Sequence, residues 1–503
     1  MKSALTAASV TAAAVLLVAA DDVTPGDPIA RNAKPGATCA GPLPTGRAPS
    51  PITKAPHRSG HPSRATDRGG DFNGDGRRDT AVAVPFRTTE TPDSTLRGTW
   101  SGAYVAVVHS GPQGPDPSRR QIITHDCLDV PTRDKPNYVF GTTLGSADFD
   151  HDGYDDLVVG GLDGGFNGQG RSIVAIVYGS ANGLTSRTVE LVSDTVRGYF
   201  SNLAIGDFGG NGELDIVATT SSREDLYFFR NVVDRPVAAE RSGPVKRPPH
   251  GRGAEDSFQS LQVADFNADG RSDLVVMAHW MTQGEKDEKW GELRLGGPKG
   301  LSDRATVFGR DRIGLRSMAG DVTGDGRPDL VMGDDFRTEK RTMFVAPGTS
   351  TGLGAPRAFT IPIEVASRDR SPDQAASLEA APGFTVGDVT GDRIAEVTVA
   401  AAGKIAILPG GRGGVRPGEA TIITRDDLPQ GPPRWIGDGL STGDLTGDGK
   451  PELTVGAPEW STRAGGRVYL LPGGRPRGAT TISGAQLGLT QRPNGGFGQI
   501  LLP

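Results

Sequence analysis

The sequence has no continuous basic face and no recognisable catalytic metal motif. Its formal net charge is −6, and its 54 lysine and arginine residues are scattered along the chain. Nucleic acid is therefore not an expected partner, because binding it requires clustered cations that neutralise phosphates. The seven histidines show no metal-ligand spacing such as H-E-x-x-H, so that class of zinc site is excluded as well.

We also expect no stable membrane anchor. An apolar stretch over residues 10–20 follows Lys2 and ends in small residues before Asp21. A transmembrane helix needs about 20 apolar residues, so this stretch is too short to span a bilayer. A basic start, a short apolar core and small residues before a polar segment are typical of a secretory signal peptide. We expect residues 1–20 to be removed and the mature chain to be secreted into the extracellular space.

Residues 21–66 show no apolar periodicity. They are rich in proline, glycine, serine and threonine, a composition typical of a disordered leader or tether. Cys39 lies in this leader and Cys127 lies beyond it, and they are the only two cysteines. An even count in an exported chain permits a disulfide between them, and two unpaired thiols are the alternative.

What the sequence does contain is a loop rich in oxygen ligands. In D-V-T-G-D-G-R-P-D, residues Asp321, Thr323, Asp325 and Asp329 occupy positions one, three, five and nine, and a glycine at position six permits a sharp turn. Ca²⁺ takes six to eight oxygen ligands, whereas Mg²⁺ keeps its waters in a strict octahedron, so the spacing favours calcium. The loop resembles the first half of an EF-hand loop, but it lacks the glutamate at position twelve and the flanking helices.

The same nine-residue signature occurs seven times at similar intervals. The starts are separated by 56 to 77 residues and lie at Asp71, Asp148, Asp207, Asp265, Asp321, Asp388 and Asp444. Ordinary turns also use aspartate, asparagine and glycine, but seven such loops in phase indicate a repeat. A period of this size marks a solenoid, a propeller or an array. We therefore expect residues 67–503 to form one repeat domain.

Each period carries four short β-like runs. An aromatic and small-residue run precedes the loop, as at residues 140–147, and an apolar run follows it, as at residues 157–160. The third run ends in glycine, as at residues 173–179, and the fourth is β-branched, as at residues 421–424. With turn signals between the runs and no helical period, this pattern predicts an all-β fold, a seven-bladed β-propeller.

The Phe140-Gly141 pair, the Asp-rich loops and the Gly456-Ala457-Pro458 triplet together resemble FG-GAP repeats. These repeats occur in the N-terminal propeller of integrin α-subunits and are also described as VCBS-like repeats in bacterial secreted proteins. The resemblance covers residues 67–503, and it implies seven blades with calcium loops between the first two strands of blades.

The two ends of the repeat region complement each other. The loop at Asp71 has no Phe-Gly run ahead of it, whereas the run from Phe497 to Pro503 has no loop behind it. We expect this C-terminal strand to complete the first blade and to close the ring non-covalently. Closure removes the free strand edges that would otherwise pair with other molecules.

Five of the seven loops keep the ligand pattern for Ca²⁺. Their predicted ligands are Asp71, Asn73, Asp75, Asp79, Asp148, Asp150, Asp152, Asp156, Asp265, Asn267, Asp269, Asp273, Asp321, Thr323, Asp325, Asp329, Asp444, Thr446, Asp448 and Glu452. The loop from Asp148 carries four carboxylates, so we expect it to bind calcium most tightly. The loops from Asp207 and Asp388 are expected to be weak or empty, because Gly209 and Asn211 replace charged ligands in one and Arg393 replaces the glycine in the other.

Long insertions interrupt the period at residues 88–101, 127–137, 234–257 and 366–382. They mark where variable surface lies, and loops carry binding more often than the scaffold strands do. Most insertions are solvated spacers, so no single one is assigned to a ligand.

No catalytic residue is predicted. Residues 439–443 match G-x-S-x-G, but that motif acts at a sharp strand-to-helix turn, and here it falls in a predicted strand. We therefore expect a monomeric, non-catalytic binding or adhesion module for a protein or carbohydrate ligand. The alternative is a propeller hydrolase or lyase that acts on extracellular polysaccharide through carboxylates in the central channel. Propellers host both functions, and the fold does not decide between them.

Overall fold

The computed structural model of the chain describes residues 70–85, 103–125, 128, 139–163, 171–193, 200–220, 226–230, 232–233, 240–242, 255–281, 288–310, 313–333, 342–363, 383–401, 403–430, 436–458, 466–487 and 496–502. The predicted signal peptide, the predicted leader, both cysteines and most of the long insertions lie outside these residues. Statements on those segments therefore stay predictions from the sequence.

Within the described residues the chain forms seven four-stranded antiparallel sheets, which we number as blades 1 to 7 in chain order. We number the strands of a blade outward from the centre of the ring. The strands of blade 2 are Val139–Ala147, Asp156–Asp163, Arg171–Val177 and Thr188–Ser193. Those of blade 3 are Phe200–Gly206, Asp215–Thr220, Leu226–Phe229 and Glu240–Ser242. Those of blade 4 are Glu255–Ala264, Asp273–Met281, Glu288–Arg294 and Thr306–Phe308.

Blades 5 to 7 repeat the arrangement. The strands of blade 5 are Arg316–Gly320, Asp329–Gly333, Thr342–Ala346 and Arg357–Thr360. Those of blade 6 are Phe384–Gly387, Glu396–Ala401, Lys404–Leu408 and Thr421–Thr424. Those of blade 7 are Leu440–Gly443, Glu452–Ala457, Arg467–Pro472 and Thr480–Ser483. A two-residue hairpin, Gly348–Thr349 with Gly352–Leu353, follows the third strand of blade 5. The prediction of four short strands in each period is confirmed.

Blade 1 is built from both ends of the described chain. Its second, third and fourth strands are Thr80–Val84, Tyr104–Gly111 and Gly114–Ile123, and its first strand is Ile500–Leu502. Ala81, Val82 and Ala83 pair with Leu502, Leu501 and Ile500. The predicted closure of the ring by the C-terminal strand is confirmed.

The hydrophobic core lies between the blades, because each sheet packs against its two neighbours. The second strands are buried on both faces, as in Thr80–Val84 and Glu452–Ala457, so their sequences are largely apolar and do not alternate between apolar and polar residues. Each of the seven blade interfaces has its own cluster of buried apolar side chains. The cluster between blades 7 and 1 joins Val82 and Leu470, so the closing interface is packed like the others.

The first strands contact one another around the centre of the ring. Polar side chains link some of them: Thr142 Oγ1 donates to the Phe200 carbonyl at 2.9 Å, and the hydroxyls of Ser260 and Ser317 lie 2.7 Å apart. Helix is scarce in the described residues, with short 3₁₀ turns at Pro417–Glu419 and Arg425–Asp427. None of the helices described has the length and apolar character needed to cross a bilayer.

Candidate metal centre

The seven Asp-rich loops share one turn geometry and lead into the second strand of their blades. In each loop, the carboxylate at position one accepts hydrogen bonds from backbone N–H groups at positions five and six. In blade 2, Asp148 accepts from Asp152 at 3.1 Å and from Gly153 at 3.0 Å. The position-one carboxylate therefore organises the turn from within, whether or not an ion is bound.

The carboxylate at position nine ties the loop to the third strand. In blade 2, Asp156 is fully buried and accepts from the N–H of Phe149 at position two and from the N–H of Gly179 after the third strand, both at 2.9 Å. The same pair of bonds holds Asp79 in blade 1 and Asp273 in blade 4. Because each carboxylate oxygen has two lone pairs, a position-nine carboxylate can accept these hydrogen bonds and still bind a metal ion.

The loop of blade 2 brings three predicted ligands together. One carboxylate oxygen each of Asp148, Asp150 and Asp156 lies within 4.8 Å of the others. Asp150 Oδ1 is buried and has no hydrogen-bond partner among the described residues. Asp152, the fourth predicted ligand, is not part of this group, and its Oδ1 accepts the Tyr154 N–H at 3.0 Å.

A cation from the same blade holds the other oxygen of Asp150. Arg187 Nη1 donates to Asp150 Oδ2 at 2.6 Å, and the guanidinium carbon lies 3.8 Å from the centre of the Tyr178 ring. The stacked guanidinium has a restricted position, so it fixes the orientation of the Asp150 carboxylate through Oδ2 and leaves Oδ1 without a hydrogen bond.

Burial and mutual repulsion make this cluster costly to ionise. Burial raises the pKa of Asp156 to about 8, and the neighbouring charges of Asp150 and Asp148 add to the increase. Burial also raises the pKa of Asp148 and of Asp152 above the ordinary aspartate value. Carboxylates in this situation bind a proton unless a cation compensates their charge.

The donor set fits a hard divalent cation. It consists of carboxylate oxygens only, and the Asp150 carboxylate has a buried oxygen, Oδ1, without a hydrogen-bond partner among the described residues. Ca²⁺ takes oxygen ligands from flexible loops of this kind, with carboxylates supplying most of the charge. Asp148, Asp150 and Asp156 are therefore the residues that would hold the ion.

The other predicted calcium loops have an uncharged residue at position three, where blade 2 has Asp150: Asn73, Asn267, Thr323 and Thr446. Among the residues described, no second group of three acidic or histidine side chains comes as close as the group in blade 2. In blades 1, 4 and 5 the aspartate at position five instead faces an arginine at position seven. Nη1 and Oδ2 are separated by 3.7 Å in Arg77–Asp75, 3.5 Å in Arg271–Asp269 and 3.6 Å in Arg327–Asp325.

The two loops expected to be weak or empty form the same turn. Asp207 accepts from the N–H groups of residues 210–212, and Asp388 accepts from those of residues 391–393. Arg393 takes the left-handed conformation that glycine adopts in the other loops, with φ of 72°. The turn itself therefore does not depend on the full ligand set.

Adjacent loops are joined by backbone hydrogen bonds. The N–H at position eight donates to the carbonyl at position one of the preceding blade, as from Asp155 to Asp71 at 3.0 Å. Asp155 Oδ2 also accepts the Asp71 N–H at 3.0 Å. Arg78 makes the corresponding bond to Asp444 at 3.1 Å, across the closing interface between blades 1 and 7.

The sequence reasoning missed several polar residues around the loops of blades 1 and 2. Arg187 and Tyr178 support Asp150, as described above. His109 is buried in blade 1, with Nδ1 2.8 Å from Asp79 Oδ2 and Nε2 2.8 Å from Gln121 Oε1. Burial lowers the pKa of His109, but the hydrogen bond and charge of Asp79 outweigh it and raise the pKa above the ordinary histidine value. No short sequence motif signals these contacts.

Ser441, the centre of the G-x-S-x-G match, lies in the first strand of blade 7. It is buried and pairs with Thr454 on the second strand. The motif is therefore part of a sheet, as its place in the repeat predicts, and no strand-to-helix turn follows it.

The comparison with protein-family models agrees with this architecture. The family model described as FG-GAP repeat matches residues 140–176 and 437–471, which fall in blades 2 and 7. The comparison with curated protein sequences gave no match.

Several solved structures are similar at low identity. A lectin from Agrocybe aegerita, described as recognising non-reducing terminal N-acetylglucosamine, is 18% identical over 55% of this chain and 63% of its own, with a TM-score of 0.33. A chain of the Photorhabdus luminescens Tc holotoxin pore is 16% identical over 76% of this chain and 16% of its own, with a TM-score of 0.32. The rhamnogalacturonan lyase YesW is 11% identical over 83% of this chain and 68% of its own, with a TM-score of 0.30.

This chain thus spans less than two thirds of the lectin chain and a small part of the toxin chain. At these identities and TM-scores, the likenesses bear on neither the ligand nor the activity. The repeat match and the ring of seven sheets carry the assignment. The chain therefore contains FG-GAP repeats in blades 2 and 7 and has the fold of a seven-bladed β-propeller.

Proposed function

We propose that the chain is a secreted, calcium-stabilised β-propeller that binds a protein or carbohydrate ligand and does not catalyse a reaction. The observation that carries the calcium role is the carboxylate cluster of blade 2, with its partnerless oxygen on Asp150. A bound Ca²⁺ would supply positive charge to that cluster. Asp148, Asp150 and Asp156 would then stay ionised while their backbone hydrogen bonds are kept.

Export agrees with this calcium role. The apolar stretch at residues 10–20 has the length and flanks of a secretory signal peptide. Extracellular modules bind calcium with dissociation constants of about 10⁻⁴ to 10⁻³ M, in the range of calcium concentrations outside cells. A loop that binds calcium with a dissociation constant in this range would therefore be substantially occupied in an exported protein.

The end of the propeller opposite the Asp-rich loops is the better candidate for ligand binding. The connections that meet at this end differ greatly between blades. Residues 85–103 separate the second and third strands of blade 1, whereas residues 402–403 do so in blade 6. Residues 361–383 join blade 5 to blade 6. Variation in connections on a constant scaffold is typical of binding surfaces.

The composition of the first strands supports a non-catalytic role. These strands surround the centre of the ring, where a propeller hydrolase or lyase would place its acidic residues. Their only acidic residues are Glu255 and Asp256, at the start of the first strand of blade 4. Catalysis by a pair of carboxylates would require a second contribution from another blade.

Calcium counting in the purified protein tests the metal role. Elemental analysis after dialysis against millimolar calcium should find bound calcium, and Asp150→Asn should lose one ion per chain. At about 10 mM calcium, one such site stabilises the fold by about 1.4 to 2.7 kcal/mol relative to EDTA. Wild-type protein that holds no calcium and melts at the same temperature in EDTA would exclude the proposal.

A second experiment separates binding from catalysis. The protein is applied to an array of glycans and extracellular proteins in calcium, and the retained ligands are incubated with it for a day. Retention without chain shortening is expected. New reducing ends or unsaturated sugars would instead support the alternative, a polysaccharide hydrolase or lyase.

A further inference from the structure

The third strand of blade 4 carries polar side chains on the face that packs against blade 3. Glu292 pairs with Val276 on the second strand, and Arg294 pairs with Leu274. Directly opposite residues of neighbouring strands share one face of a sheet. Val276 and Leu274 belong to the apolar cluster between blades 3 and 4. Glu292 and Arg294 therefore lie on the same face, in the outer part of that interface.

Both side chains are buried, and each has a polar atom without a hydrogen-bond partner. Glu292 is fully buried, and Arg294 is 6% exposed. Glu292 Oε1 accepts a hydrogen bond from Trp290 Nε1 at 2.8 Å, whereas Oε2 has no partner within the described part of the chain. Arg294 Nε is buried and likewise has no partner there. Native proteins pair nearly all buried polar groups, so these two atoms indicate a bound group that supplies the missing hydrogen bonds.

Arg294 also lowers the electrostatic cost of burying Glu292. Burial raises the pKa of Glu292 above the ordinary glutamate value, and the Trp290 hydrogen bond and the charge of Arg294 oppose this increase. Arg294 acts without a hydrogen bond between its Nε and Glu292 Oε2, because both atoms are unpartnered. A group placed between the two side chains could therefore bond to both.

The two unpartnered atoms differ in what they require. A carboxylate oxygen accepts a hydrogen bond, and a guanidinium Nε–H donates one, so a single hydroxyl group, which both donates and accepts, satisfies the pair. A metal ion does not fit, because a guanidinium is itself a cation and has no acceptor to offer. The indole ring of Trp290 adds an aromatic surface beside the same carboxylate. An aromatic surface with a few convergent polar groups suits a sugar, whose hydroxyls surround apolar C–H groups.

The pair lies close to the outer edge of blade 4. Val307 stands opposite Glu292 on the edge strand and is 40% exposed, and Trp290 is partly exposed. Because Glu292 itself is fully buried, a ligand reaches it only when the Val307 side chain moves aside. The approach is thus from the flank of the ring and not from either rim.

We propose that Trp290, Glu292 and Arg294 form a sugar-binding site on the flank of the propeller, between blades 3 and 4. One hydroxyl of the sugar donates to Glu292 Oε2 and accepts from Arg294 Nε, and the Trp290 ring packs against the sugar. This inference rests on the proposed binding role. It adds carbohydrate as the ligand class, at a place separate from the rim opposite the Asp-rich loops.

The test uses the full chain and the array of glycans and extracellular proteins, with neutral, N-acetylated and uronic-acid oligosaccharides among the glycans. Affinity for a retained oligosaccharide is then measured by calorimetry. Glu292→Gln keeps the acceptor for Trp290 and replaces the unpartnered oxygen by a donor, so affinity should fall by about tenfold or more. Arg294→Lys, which removes the Nε donor and keeps the charge, is the second variant if Glu292→Gln does not fold. Thr306→Val is the matched control, because Thr306 pairs with Leu293 on the opposite face of the same blade.

Oligosaccharide binding that both variants leave unchanged overturns the inference and leaves the proposed binding role intact. Retention of proteins without any oligosaccharide has the same meaning. A wild-type chain that retains nothing overturns the binding role together with this site. A crystal structure with the retained oligosaccharide separates a sugar hydroxyl from an internal water. A water molecule that still bridges Glu292 Oε2 and Arg294 Nε in that complex overturns the inference.

Discussion

The aromatic ring of Tyr154 in blade 2 lies over Gly74 in the Asp-rich loop of blade 1. A Cβ atom on Gly74 would be 2.7 Å from Tyr154 Cε1. The relationship recurs around the ring, because the side chain at position seven covers the glycine at position four of the preceding blade, as with Arg77 over Gly447. The loops are therefore fitted to one another as well as to their own strands.

Substituting Gly74 with alanine should destabilise the protein beyond the effect of backbone strain. Gly74 has φ of 68°, which costs a non-glycine residue about 1 kcal/mol or more, and the new methyl group would also clash with Tyr154. Gly76→Ala is the control, because Gly76 has φ of 83° but no atom within 4 Å of a Cβ. Chemical denaturation should give a larger loss for Gly74→Ala, and Gly74→Ala with Tyr154→Ala should recover the difference. Equal losses in the two single variants would contradict the packing role of Tyr154.

Asp273→Asn should weaken blade 4 with or without calcium. Both Asp273 oxygens accept backbone N–H groups, from Phe266 at 3.0 Å and Gly296 at 2.9 Å, and an amide can accept only one of the two. Leaving one buried donor unpaired costs about 1–3 kcal/mol. Asp269→Asn, at the exposed position five of the same loop, is the matched control. The measurement is the free energy of unfolding in EDTA above pH 7, since burial raises the pKa of Asp273 to about 7.

Metal-free protein should lose stability as the pH rises from about 4 to 8. Burial raises the pKa of Asp71 and of Glu396 to about 7, and that of Asp155 to about 6. Unfolded carboxyl groups titrate near pH 4, so between these values the native state binds more protons than the unfolded state, and stability falls with pH. Melting temperatures in EDTA across this range check the sign.

The same pH series in millimolar calcium is the control. Calcium competes with protons for the blade 2 carboxylates, so the loss of stability toward high pH should be smaller. Stability in EDTA that rises steadily between pH 5 and 8 would show that the loop carboxylates are ionised without a metal.

Removing residues 500–503 should open the ring. The strand Ile500–Leu502 covers the edge of Thr80–Val84, with Leu501 packed toward blade 7 and Ile500 and Leu502 toward blade 2. Its loss exposes a strand edge and apolar side chains, so we expect a lower melting temperature and concentration-dependent self-association. Calorimetry and light scattering measure the two effects, with removal of Pro503 alone as the control. A truncated protein that stays monomeric with an unchanged melting temperature would refute the closure role of this strand.

The sequence was sufficient to predict the blades and the loops because both are encoded locally. Nine consecutive residues define each turn, and the position-one aspartate makes its hydrogen bonds within the same turn, as in Asp148 with Gly153. The apolar second strands follow directly, and the missing first strand of blade 1 is visible as a surplus strand at the other end of the repeat. Because the same signature occurs seven times, a prediction made for one blade applies to all seven.

The compensation of charge in individual loops could not be predicted in the same way. Asp79 meets His109 only because the third strand returns beside the loop, and Gln121 is oriented by Leu184 of another blade. Such contacts depend on strand register and blade packing, which the nine-residue pattern does not encode. Two loops with similar signatures therefore differ in their surroundings.

The pairing of the first and second strands of blade 1 also determines how the propeller would be oriented if the chain were tethered at one end. Residue 70 lies beside the Asp-rich loop, since its carbonyl accepts the Asp79 N–H at 2.7 Å, and Leu502 pairs with Ala81 at the same end of the blade. Both ends of the described chain thus leave from one rim. A segment that tethers the chain before residue 70 would hold the molecule by the rim of Asp-rich loops and present the opposite rim, with its varied connections, to the surroundings.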